Sequence, residues 1–428
     1  MITVIGTGTG APLPPDARAA LAGAGLVVGA RRHLEAAGLA DGTERIVLGP
    51  LAPALDAIEA RRTADAEGRG RIVVLASGDP GFFGIVRVLA ERFGSGALDV
   101  RAGVSSVAWA FARAGLEWAD AVVVSAHGRD PRTAVNVCRA HPKVAVLTGP
   151  GAGPAELGAA LADGTTDRTL IVARALGDPA HESMERVTPA EAAARDWGTA
   201  VSVVLCLDAA LPEPGPAAGS ASGPVTIAGP RPGPDRWALE EDAFAHRDSM
   251  ITKFEVRALA LARLGPRTGD LVWDVGAGSG SVAVECARFG AAAVAVERSA
   301  DGIARIRANA DAHGVSVRAV HGSAPAVLSE LPEPDAVFIG GGGAELPAIV
   351  TACARRARRA VVVAMAALDR VPAARAALTG AGYSCDGVLL QSSRLAPLPG
   401  DVTRLAAANP VFLLWGTRPT PSLRGENK

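Results

Sequence analysis

A proline- and glycine-rich segment in the middle of the chain restricts the possible folds more than any other sequence feature. Residues 212–234 hold seven prolines and five glycines, and no apolar face recurs along them. This composition cannot form a packed core and is typical of a linker. A chain of 428 residues is long enough for two or three domains. We therefore predict one domain over residues 1–211, a linker over 212–234 and a second domain over 235–428.

Both halves alternate short β-branched runs with helical stretches. Apolar strands separated by helices are typical of α/β domains whose sheets are covered on both faces, so each half is predicted to be α/β. The predicted strands of the first half are residues 2–6, 26–28, 71–76, 98–101, 121–125, 144–147, 169–173 and 201–207. Those of the second half are residues 271–275, 293–297, 316–321, 336–340, 359–364, 383–390 and 411–415.

Composition excludes several classes of function. The 43 basic and 44 acidic residues give a net charge of -1, which argues against nucleic-acid binding by a positive field. Apolar runs reach only about a dozen residues, whereas a membrane helix needs roughly 18 or more. The first ten residues lack the basic stretch of a signal peptide. The five cysteines form no C-x-x-C pair, which favours buried, reduced thiols in the cytoplasm and no metal site.

The second half contains a glycine turn with an acidic residue on each side. Asp274-x-Gly276-x-Gly278-x-Gly280 follows a predicted strand, and Glu297 ends the next one. Glycines let the backbone approach a ligand with positive φ, and an acid at the next strand end can accept the ribose hydroxyls of an adenosine. The spacing is G-x-G-x-G, whereas the dinucleotide fingerprint is G-x-G-x-x-G.

This turn together with Glu297 resembles the S-adenosylmethionine (SAM) loop of class I SAM-dependent methyltransferases, which have a Rossmann-like fold. The resemblance implies that Asp274, the three glycines and Glu297 bind SAM, and that Ser323 and Ala324 hold the adenine edge. Residues 339–343 read Ile-Gly-Gly-Gly-Gly where many amino- or RNA-methylating enzymes carry an N/D-P-P-Y/F signature. This difference favours carbon methylation of a bulky substrate.

The first half has its own series of turns that follow strands. They comprise Gly6-x-Gly8-x-Gly10, Gly78-Asp79-Pro, Ser105-Ser106 and Ser125-Ala-His127-Gly-Arg129. In order and spacing they resemble the tetrapyrrole methylase family, which has the class III SAM-dependent methyltransferase fold. The likeness extends to its CbiE-type branch through Val-Gly-Ala-Arg31-Arg32-His33-Leu-Glu and the segment that starts at Gly103. It implies a first SAM site at Gly78, Asp79, Ser105 and Ser106, near the strand that ends at Leu207.

The second half resembles the CbiT-type methyltransferases through residues 243–257, 393–394 and 409–411. Fused in this order, the halves resemble the decarboxylating precorrin methyltransferases of cobalamin biosynthesis. The resemblance implies one SAM per domain and methylation of C5 and C15 of a precorrin, a reduced tetrapyrrole. It also implies loss of CO₂ from the C12 acetate side chain, and a homo-oligomer.

The implied chemistry needs few protein groups. Methyl transfer from a sulfonium is an in-line displacement that depends on alignment and requires no metal, and a His or carboxylate can accept a proton afterwards. The catalytic candidates are Lys253, His127 and Arg394. The substrate carries many carboxylates, which local cations must bind. The candidate cations are Arg31, Arg32 and Arg129 in the first domain and Lys253, Arg257 and Arg394 in the second.

Three alternatives stay open at this point. The same chemistry could act on a cobalt-loaded precorrin. The turn from Gly276 to Gly280 could serve a nicotinamide-dependent oxidoreductase, although its spacing argues against this. The chain could also be a non-catalytic scaffold, which would need neither set of ligand-loop glycines. Binding of S-adenosylhomocysteine (SAH) or of NAD would separate these classes.

Overall fold

The computed structural model describes residues 1–10, 12–64, 71–162, 167–178, 180–198, 202–209, 228–229, 233–234, 236–247 and 251–419. The predicted linker falls outside the described residues except at positions 228–229 and 233–234. The described ranges form three sheets of five or more strands and one two-stranded sheet. Helices separate most of the strands along the chain, which confirms the predicted α/β fold class.

The first sheet lies in the amino-terminal part of the first domain. Its strands are β1 (Ile2–Gly6), β2 (Ala24–Gly29), β3 (Glu44–Val47), β4 (Arg71–Ala76) and β5 (Leu98–Arg101). The helices between them are α1 (Pro15–Ala22), α2 (Arg31–Ala36), α3 (Leu51–Ala64) and α4 (Val86–Phe93), followed by a 3-10 turn at Ser95–Ala97. All strand pairs are parallel, in the order β3-β2-β4-β1-β5. The loops after β1, β2, β4 and β5 therefore meet at one edge, the carboxyl edge of this sheet.

The second sheet completes the first domain and is mixed. Its strands are β6 (Val122–Ser125), β7 (Lys143–Leu147), β8 (Arg168–Arg174), β9 (Ser183–Val187) and β10 (Ser202–Asp208). The accompanying helices are α5 (Ser106–Ala114), α6 (Pro131–Ala140), α7 (Pro154–Leu161) and α8 (Pro189–Ala193). The strand order is β6-β7-β10-β8-β9, with β10 antiparallel to both of its neighbours. Apolar side chains cover both faces of this sheet.

The second domain contains a seven-stranded sheet. Its strands are β11 (Leu271–Val275), β12 (Ala292–Glu297), β13 (Val317–His321), β14 (Ala336–Ile339), β15 (Ala360–Met365), β16 (Ser384–Leu390) and β19 (Val411–Thr417). The helices are α9 (Phe254–Leu264), α10 (Ser281–Arg288), α11 (Ala300–Ala312), α12 (Leu346–Arg356) and α13 (Val371–Gly380). Short 3-10 turns occur at Glu241–Ala243, Ala326–Glu330, Gly343–Glu345 and Leu368–Arg370. The order is β13-β12-β11-β14-β15-β19-β16, and β19 runs in the direction opposite to the other six strands.

A hairpin of β17 (Ser393–Leu398) and β18 (Val402–Ala407) is inserted between β16 and β19. Leu390, the end of β16, pairs with Val411, the start of β19. Phe412 of β19 in turn pairs with Met365, the end of β15. The hairpin therefore leaves the sheet at its carboxyl edge, where β11 to β15 also end.

Four strands were not predicted from the sequence: β3, β9, β17 and β18. They lie at sheet edges or in the hairpin, and the burial pattern of β18 is almost wholly exposed. Edge strands need no continuous apolar run, so the pattern that identifies central strands is absent from them. The strands that were predicted from the sequence match the observed ones to within one or two residues at each end.

Helix α6 of the first domain contacts the second domain. Arg132 donates two hydrogen bonds to the Asp335 carboxylate at 3.0 and 2.9 Å. The Asn136 amide donates to the Gly269 carbonyl at 3.1 Å. Gly269 precedes β11 and Asp335 precedes β14, so α6 covers the amino edge of the seven-stranded sheet, opposite its carboxyl edge.

Two composition-based expectations can be compared with the fold. No helix in the described ranges combines the length and the apolarity that crossing a membrane requires. All five cysteines are free; Cys138, Cys206, Cys286 and Cys353 are buried, while Cys385 is half-buried. The expectation of buried thiols therefore holds for four of the five.

Candidate active sites

The glycine turn of the second domain lies at the carboxyl edge of β11. Gly276, Gly278 and Gly280 have φ values of 74°, 57° and 74°, which L-residues with a side chain rarely adopt. A Cβ on Gly280 would lie 2.9 Å from Cγ1 of Ile306, whereas one on Gly278 would meet no atom within 4 Å. The turn is thus packed on one side and open on the other, as a backbone cradle for a ligand requires.

Glu297 ends β12 and fixes this turn. Its Oε2 accepts a hydrogen bond from the Gly278 amide at 3.0 Å, and its Oε1 accepts one from the Ser299 amide at 2.9 Å. A Cβ on Gly302 of α11 would overlap the Glu297 side chain. Glu297 therefore joins the glycine turn to the start of α11, and Gly302 leaves the space that it needs. Sequence spacing gave no signal for Gly302 or Ser299.

Asp274 is buried at the end of β11, with 2% of its surface exposed. Its Oδ2 accepts a hydrogen bond from the Ala283 amide at 3.0 Å, so the carboxylate holds the start of α10. Burial, with a smaller contribution from the charge of Glu297, raises the pKa of Asp274 to about 7. The role predicted for Asp274 in organising the loop fits this geometry, and its contact with the methionine ammonium stays a prediction.

The ends of β13 and β14 border the same turn. The Gly322 amide donates to the Glu297 carbonyl at 3.0 Å, which places Ser323 and Ala324 beside Glu297. On the other side, the Gly340 amide donates to the Val275 carbonyl at 2.9 Å. A Cβ on Gly341 would meet no atom within 4 Å. The predicted cofactor residues of the second domain thus converge on one edge, and the glycine-rich exit of β14 leaves open space there.

Lys253 and Arg394 lie at this carboxyl edge as well. Lys253 is the N-cap of α9, whose other end contacts Arg359 at the amino edge of β15. Arg394 at the hairpin base donates to Glu241 at 2.7 Å and to Glu255 at 3.2 Å. These two carboxylates compensate its charge, so Arg394 anchors the hairpin to the start of α9.

The prediction that Arg257 binds a substrate carboxylate is wrong. Its side chain is 0% exposed and bonds to Glu285 at 3.3 Å and to the Thr252 carbonyl at 2.5 Å. A buried cation must be paired because removing it from water costs several kcal/mol. Arg257 therefore holds α9 against α10 and the preceding segment.

The glycine loops of the first domain meet at the carboxyl edge of the first sheet. A Cβ on Gly6 would lie 2.5 Å from the Gly103 amide nitrogen, and one on Gly103 would lie 2.5 Å from the Gly78 carbonyl oxygen. Gly8 and Gly78 form an isolated β-bridge. The loops after β1, β4 and β5 are thus packed backbone to backbone. Ser105 and Ser106 adjoin Gly78. A Cβ on Gly78 would lie 3.6 Å from the Ser105 Cα and 3.6 Å from the Ser106 amide nitrogen.

Two predicted cofactor side chains of the first domain make local bonds. The Asp79 Oδ1 accepts a hydrogen bond from the Gly81 amide at 2.7 Å. The Ser105 hydroxyl accepts one from the Ala108 amide at 3.1 Å and caps α5. Both side chains thereby fix the backbone conformation of these loops.

The second sheet borders these loops from the opposite side. His127 and Arg129 follow β6, and the Arg129 guanidinium lies 5.9 Å from the centre of the Phe83 ring. A Cβ on Gly10 would lie 3.4 Å from the Gly177 carbonyl oxygen in the loop after β8. The candidate site therefore lies between the two sheets of the first domain.

The amino-terminal end of β10 borders the candidate site between the two sheets. The Thr148 hydroxyl donates to the Ser202 carbonyl at 2.7 Å, and Leu207 pairs with Lys143 at the opposite end of the sheet. The strand that ends at Leu207 therefore borders the candidate site with its Ser202 end, and its part in a SAM site stays a prediction. The antiparallel direction of β10 could not be read from its apolar run.

Comparisons with known proteins give the family. Residues 1–193 match the family model of tetrapyrrole (corrin/porphyrin) methylases, and residues 242–416 match that of the precorrin methyltransferase domain. A precorrin-6Y C(5,15)-methyltransferase [decarboxylating] of a Sinorhizobium species is 39% identical over 356 residues, which cover 80% of this chain and 79% of that protein. The enzyme of the same name from Mycobacterium tuberculosis (strain CDC 1551 / Oshkosh) is 34% identical over 286 residues, 65% of this chain and 66% of that protein. A cobalt-precorrin-7 C(5)-methyltransferase of Salmonella typhimurium is 36% identical over 176 residues, 40% of this chain and 83% of that protein.

The fold and the two glycine cradles define the chain as a fused pair of methyltransferase domains, an enzyme of the SAM-dependent class. The first domain has the tetrapyrrole methylase fold, and the second has the Rossmann-like class I fold. The chain belongs to the family of precorrin-6Y C5,15-methyltransferases (decarboxylating). This membership confirms the resemblance deduced from the glycine turns, and the nicotinamide and scaffold alternatives lose their support.

Proposed function

We propose that this chain methylates C5 and C15 of precorrin-6B (precorrin-6Y) and removes CO₂ from its C12 acetate side chain, giving precorrin-8X in cobalamin biosynthesis. The observation that carries the proposal is the presence of two separate glycine cradles, each at the carboxyl edge of its own sheet. Ligands of open α/β sheets bind at such edges. Each domain is proposed to bind one SAM.

The residues present fit a SAM in each cradle. In the second domain the open side of Gly278 faces away from packed atoms, and Glu297 supplies a carboxylate at the end of β12 for the ribose hydroxyls. In the first domain the backbones around Gly78 and Ser106 approach so closely that no Cβ fits on Gly6 or Gly103. When bound, SAM would supply an electrophilic methyl group on its sulfonium sulfur. As that methyl group is transferred, the rest of the cofactor leaves as a neutral thioether.

The proposed chemistry asks the protein to align the substrate and to accept a proton. The nucleophile is an electron-rich, enamine-like ring carbon, so no strong base is needed before attack. The methylated carbon then loses its proton, for which His127 in the first domain is the candidate acceptor. In the second domain Lys253 lies at the same edge as the cradle and is the candidate group toward the acetate carboxylate. Electrons from decarboxylation flow into the protonated conjugated macrocycle of the substrate.

The position of α6 bears on how the substrate passes between the two proposed methylation sites. Helix α6 covers the amino edge of the seven-stranded sheet through Arg132 and Asn136. The proposed SAM site of the second domain is at the carboxyl edge, which faces away from this contact. We therefore propose that the singly methylated intermediate leaves one site before it enters the other.

Mass spectrometry of the full chain incubated with SAM and precorrin-6B tests the proposal. The expected product has gained two methyl groups and lost one CO₂, and calorimetry with SAH is expected to give two sites per chain. A product without added methyl groups would refute the function, and a single SAH site would refute the one-per-domain assignment.

A cobalt-loaded precorrin is the second candidate substrate, because one of the relatives is named for a cobalt-precorrin. Parallel incubation with the cobalt-loaded and cobalt-free substrates distinguishes the two. Assembly as a homo-oligomer, absence of nucleic-acid binding and cytoplasmic location also remain predictions. Size-exclusion chromatography with light scattering checks the oligomeric state.

A further inference from the structure

Three polar side chains form a closed ring of hydrogen bonds beside the first-domain cradle. Arg32 donates from Nη2 to the Ser77 hydroxyl at 2.8 Å and from Nε to Nε2 of His33 at 3.2 Å. Nε2 of His33 also lies 3.2 Å from the Ser77 hydroxyl. Because that hydroxyl accepts from Arg32, its own proton is available to His33. Nε2 of His33 has a single lone pair, so the Arg32 and Ser77 donors share it in a three-centre hydrogen bond.

The ring requires a neutral histidine. An arginine is always protonated and can only donate, so Nε2 of His33 must accept, and the hydrogen-bond network places the ring proton on Nδ1. Burial, and then the charge of Arg32, lower the pKa of His33. Arg32 is the charged group that faces His33. Protonation of His33 would remove the acceptor and place a second cation against Arg32.

The ring lies at the mouth of the cradle. Ser77 directly precedes Gly78, and Thr7, which directly follows Gly6, lies 3.5 Å from Nε2 of His33. Arg32 and His33 stand in the first turn of α2, just after β2. The carboxyl ends of β1, β2 and β4 thus bring the ring together. The Arg32 side chain is exposed, and its Nη1 makes no hydrogen bond to the residues that the structure describes.

From this geometry we propose that Arg32 is a carboxylate anchor for the tetrapyrrole in the first domain, and that His33 is a positioning residue that holds Arg32. The assignment rests on the proposed function. With Nε and Nη2 fixed inside the ring, Nη1 is presented to solvent beside the cofactor loops. A fixed guanidinium suits a carboxylate because it loses little side-chain freedom on binding. The carboxylate could also be the methionine carboxylate of SAM, so the experiment separates these two sources.

The test uses the full chain and three measurements. Binding of precorrin-6B in the presence of SAH is followed by absorbance, SAH binding is measured by calorimetry, and methylation by each domain is followed by mass spectrometry. Arg32→Ala is expected to weaken precorrin binding at one site about tenfold to hundredfold, the effect of a lost charge-assisted hydrogen bond. Affinity for SAH at both sites should be unchanged. Arg87→Ala, which removes an exposed arginine of α4 paired with Glu91, is the matched control.

Variants of His33 test the positioning role. His33→Gln keeps an acceptor near the position of Nε2 and is expected to retain most precorrin affinity, whereas His33→Phe should lose affinity nearly as far as Arg32→Ala. As pH falls from 7.5 to 5, the parent chain should lose affinity at the first-domain site more steeply than His33→Gln. Equal pH profiles for the two would overturn the role of His33.

The remaining outcomes distinguish a wrong role for Arg32 from a wrong proposed function. If Arg32→Ala binds precorrin as the parent does, the anchor assignment is wrong although the enzyme function stands. If Arg32→Ala instead weakens SAH, Arg32 binds the cofactor carboxylate and the substrate assignment is overturned. If the parent chain itself adds no methyl group, the proposed function fails.

Discussion

Replacing Glu297 by alanine tests the proposed second SAM site most directly. In the free protein its two carboxylate oxygens accept hydrogen bonds from Gly278 at 3.0 Å and from Ser299 at 2.9 Å. A carboxylate oxygen has more than one lone pair, so the same group can also accept ribose hydroxyls. Glu297→Ala removes both functions, while the β12 backbone keeps its pairs with β11 and β13.

The expected losses of SAH affinity and of folding stability follow from these hydrogen bonds. A hydrogen bond to a charged acceptor contributes roughly 1.5–3 kcal/mol. Loss of the ribose contacts should therefore weaken SAH binding in the second domain by about tenfold to hundredfold or more. The two amides left without Glu297 should cost about 1 kcal/mol of folding stability, since Glu297 is only partly buried and water can replace it.

Calorimetry of the full chain with SAH is the assay, supported by mass spectrometry of the product. Glu297→Ala should leave one SAH site at the parent affinity, and its product should carry one methyl group and keep the acetate side chain. Glu297→Gln retains size but turns an amide N–H₂ toward one of the two backbone amides, so it should also lose affinity. Asp311→Ala, at an exposed position of α11, the helix that follows Glu297, is the control. If Glu297→Ala yields both methyl groups and the CO₂ at the parent rate, the SAM assignment of this domain is refuted.

Three further predictions follow from the structure. Gly302→Ala should weaken SAH binding in the second domain because a Cβ on residue 302 would overlap Glu297. Gly→Ala in a helix usually raises stability by about 1 kcal/mol. That gain together with an unchanged SAH affinity would contradict the prediction. Burial raises the pKa of Asp274 from 3.8 to about 7, so its contribution to stability should be full below about pH 4 and fall by about 1.4 kcal/mol per pH unit until about pH 7. Denaturant unfolding between pH 4 and 8 should show that Asp274→Asn lacks this slope, and parallel curves for the two chains would contradict the shift. Residues 1–211 and 235–428 expressed separately should each fold, because in the described ranges each part has its own apolar cores and their contact lies mainly along α6. Their mixture should form the two-methyl product; an insoluble part, or no product from two folded parts, would contradict this prediction.

The central strands and both glycine turns were predictable from the sequence, but the edge strands were not. Strands such as β11 and β14 are buried on both faces and read as continuous apolar runs. The hairpin residues Leu395 and Leu405 are 78% and 67% exposed, so no burial pattern marked β17 and β18. The position of Glu297 beside the glycine turn was also predictable, because a parallel sheet brings neighbouring strand ends to one edge.

Arginine roles were the least predictable part of the candidate sites. Arg257, Arg394 and Arg32 were all candidate cations for substrate carboxylates, and the sequence did not distinguish their roles. The structure buries Arg257 against Glu285, pairs Arg394 with two glutamates and leaves Nη1 of Arg32 at the mouth of a cradle. Their different partners come from other elements, some more than a hundred residues away along the chain.

The sequence by itself determined the two α/β halves and the glycine turns, because local backbone freedom and the periodicity of apolar residues are properties of short segments. Only the tertiary structure decided that α6 covers the amino edge of the second sheet, that Gly302 makes room for Glu297, and that Arg32, His33 and Ser77 close into one ring. These relations depend on which strands pair and on which side chains then come within a few ångströms. Pairing of distant segments is fixed by the packing of the whole domain, and no local pattern records it.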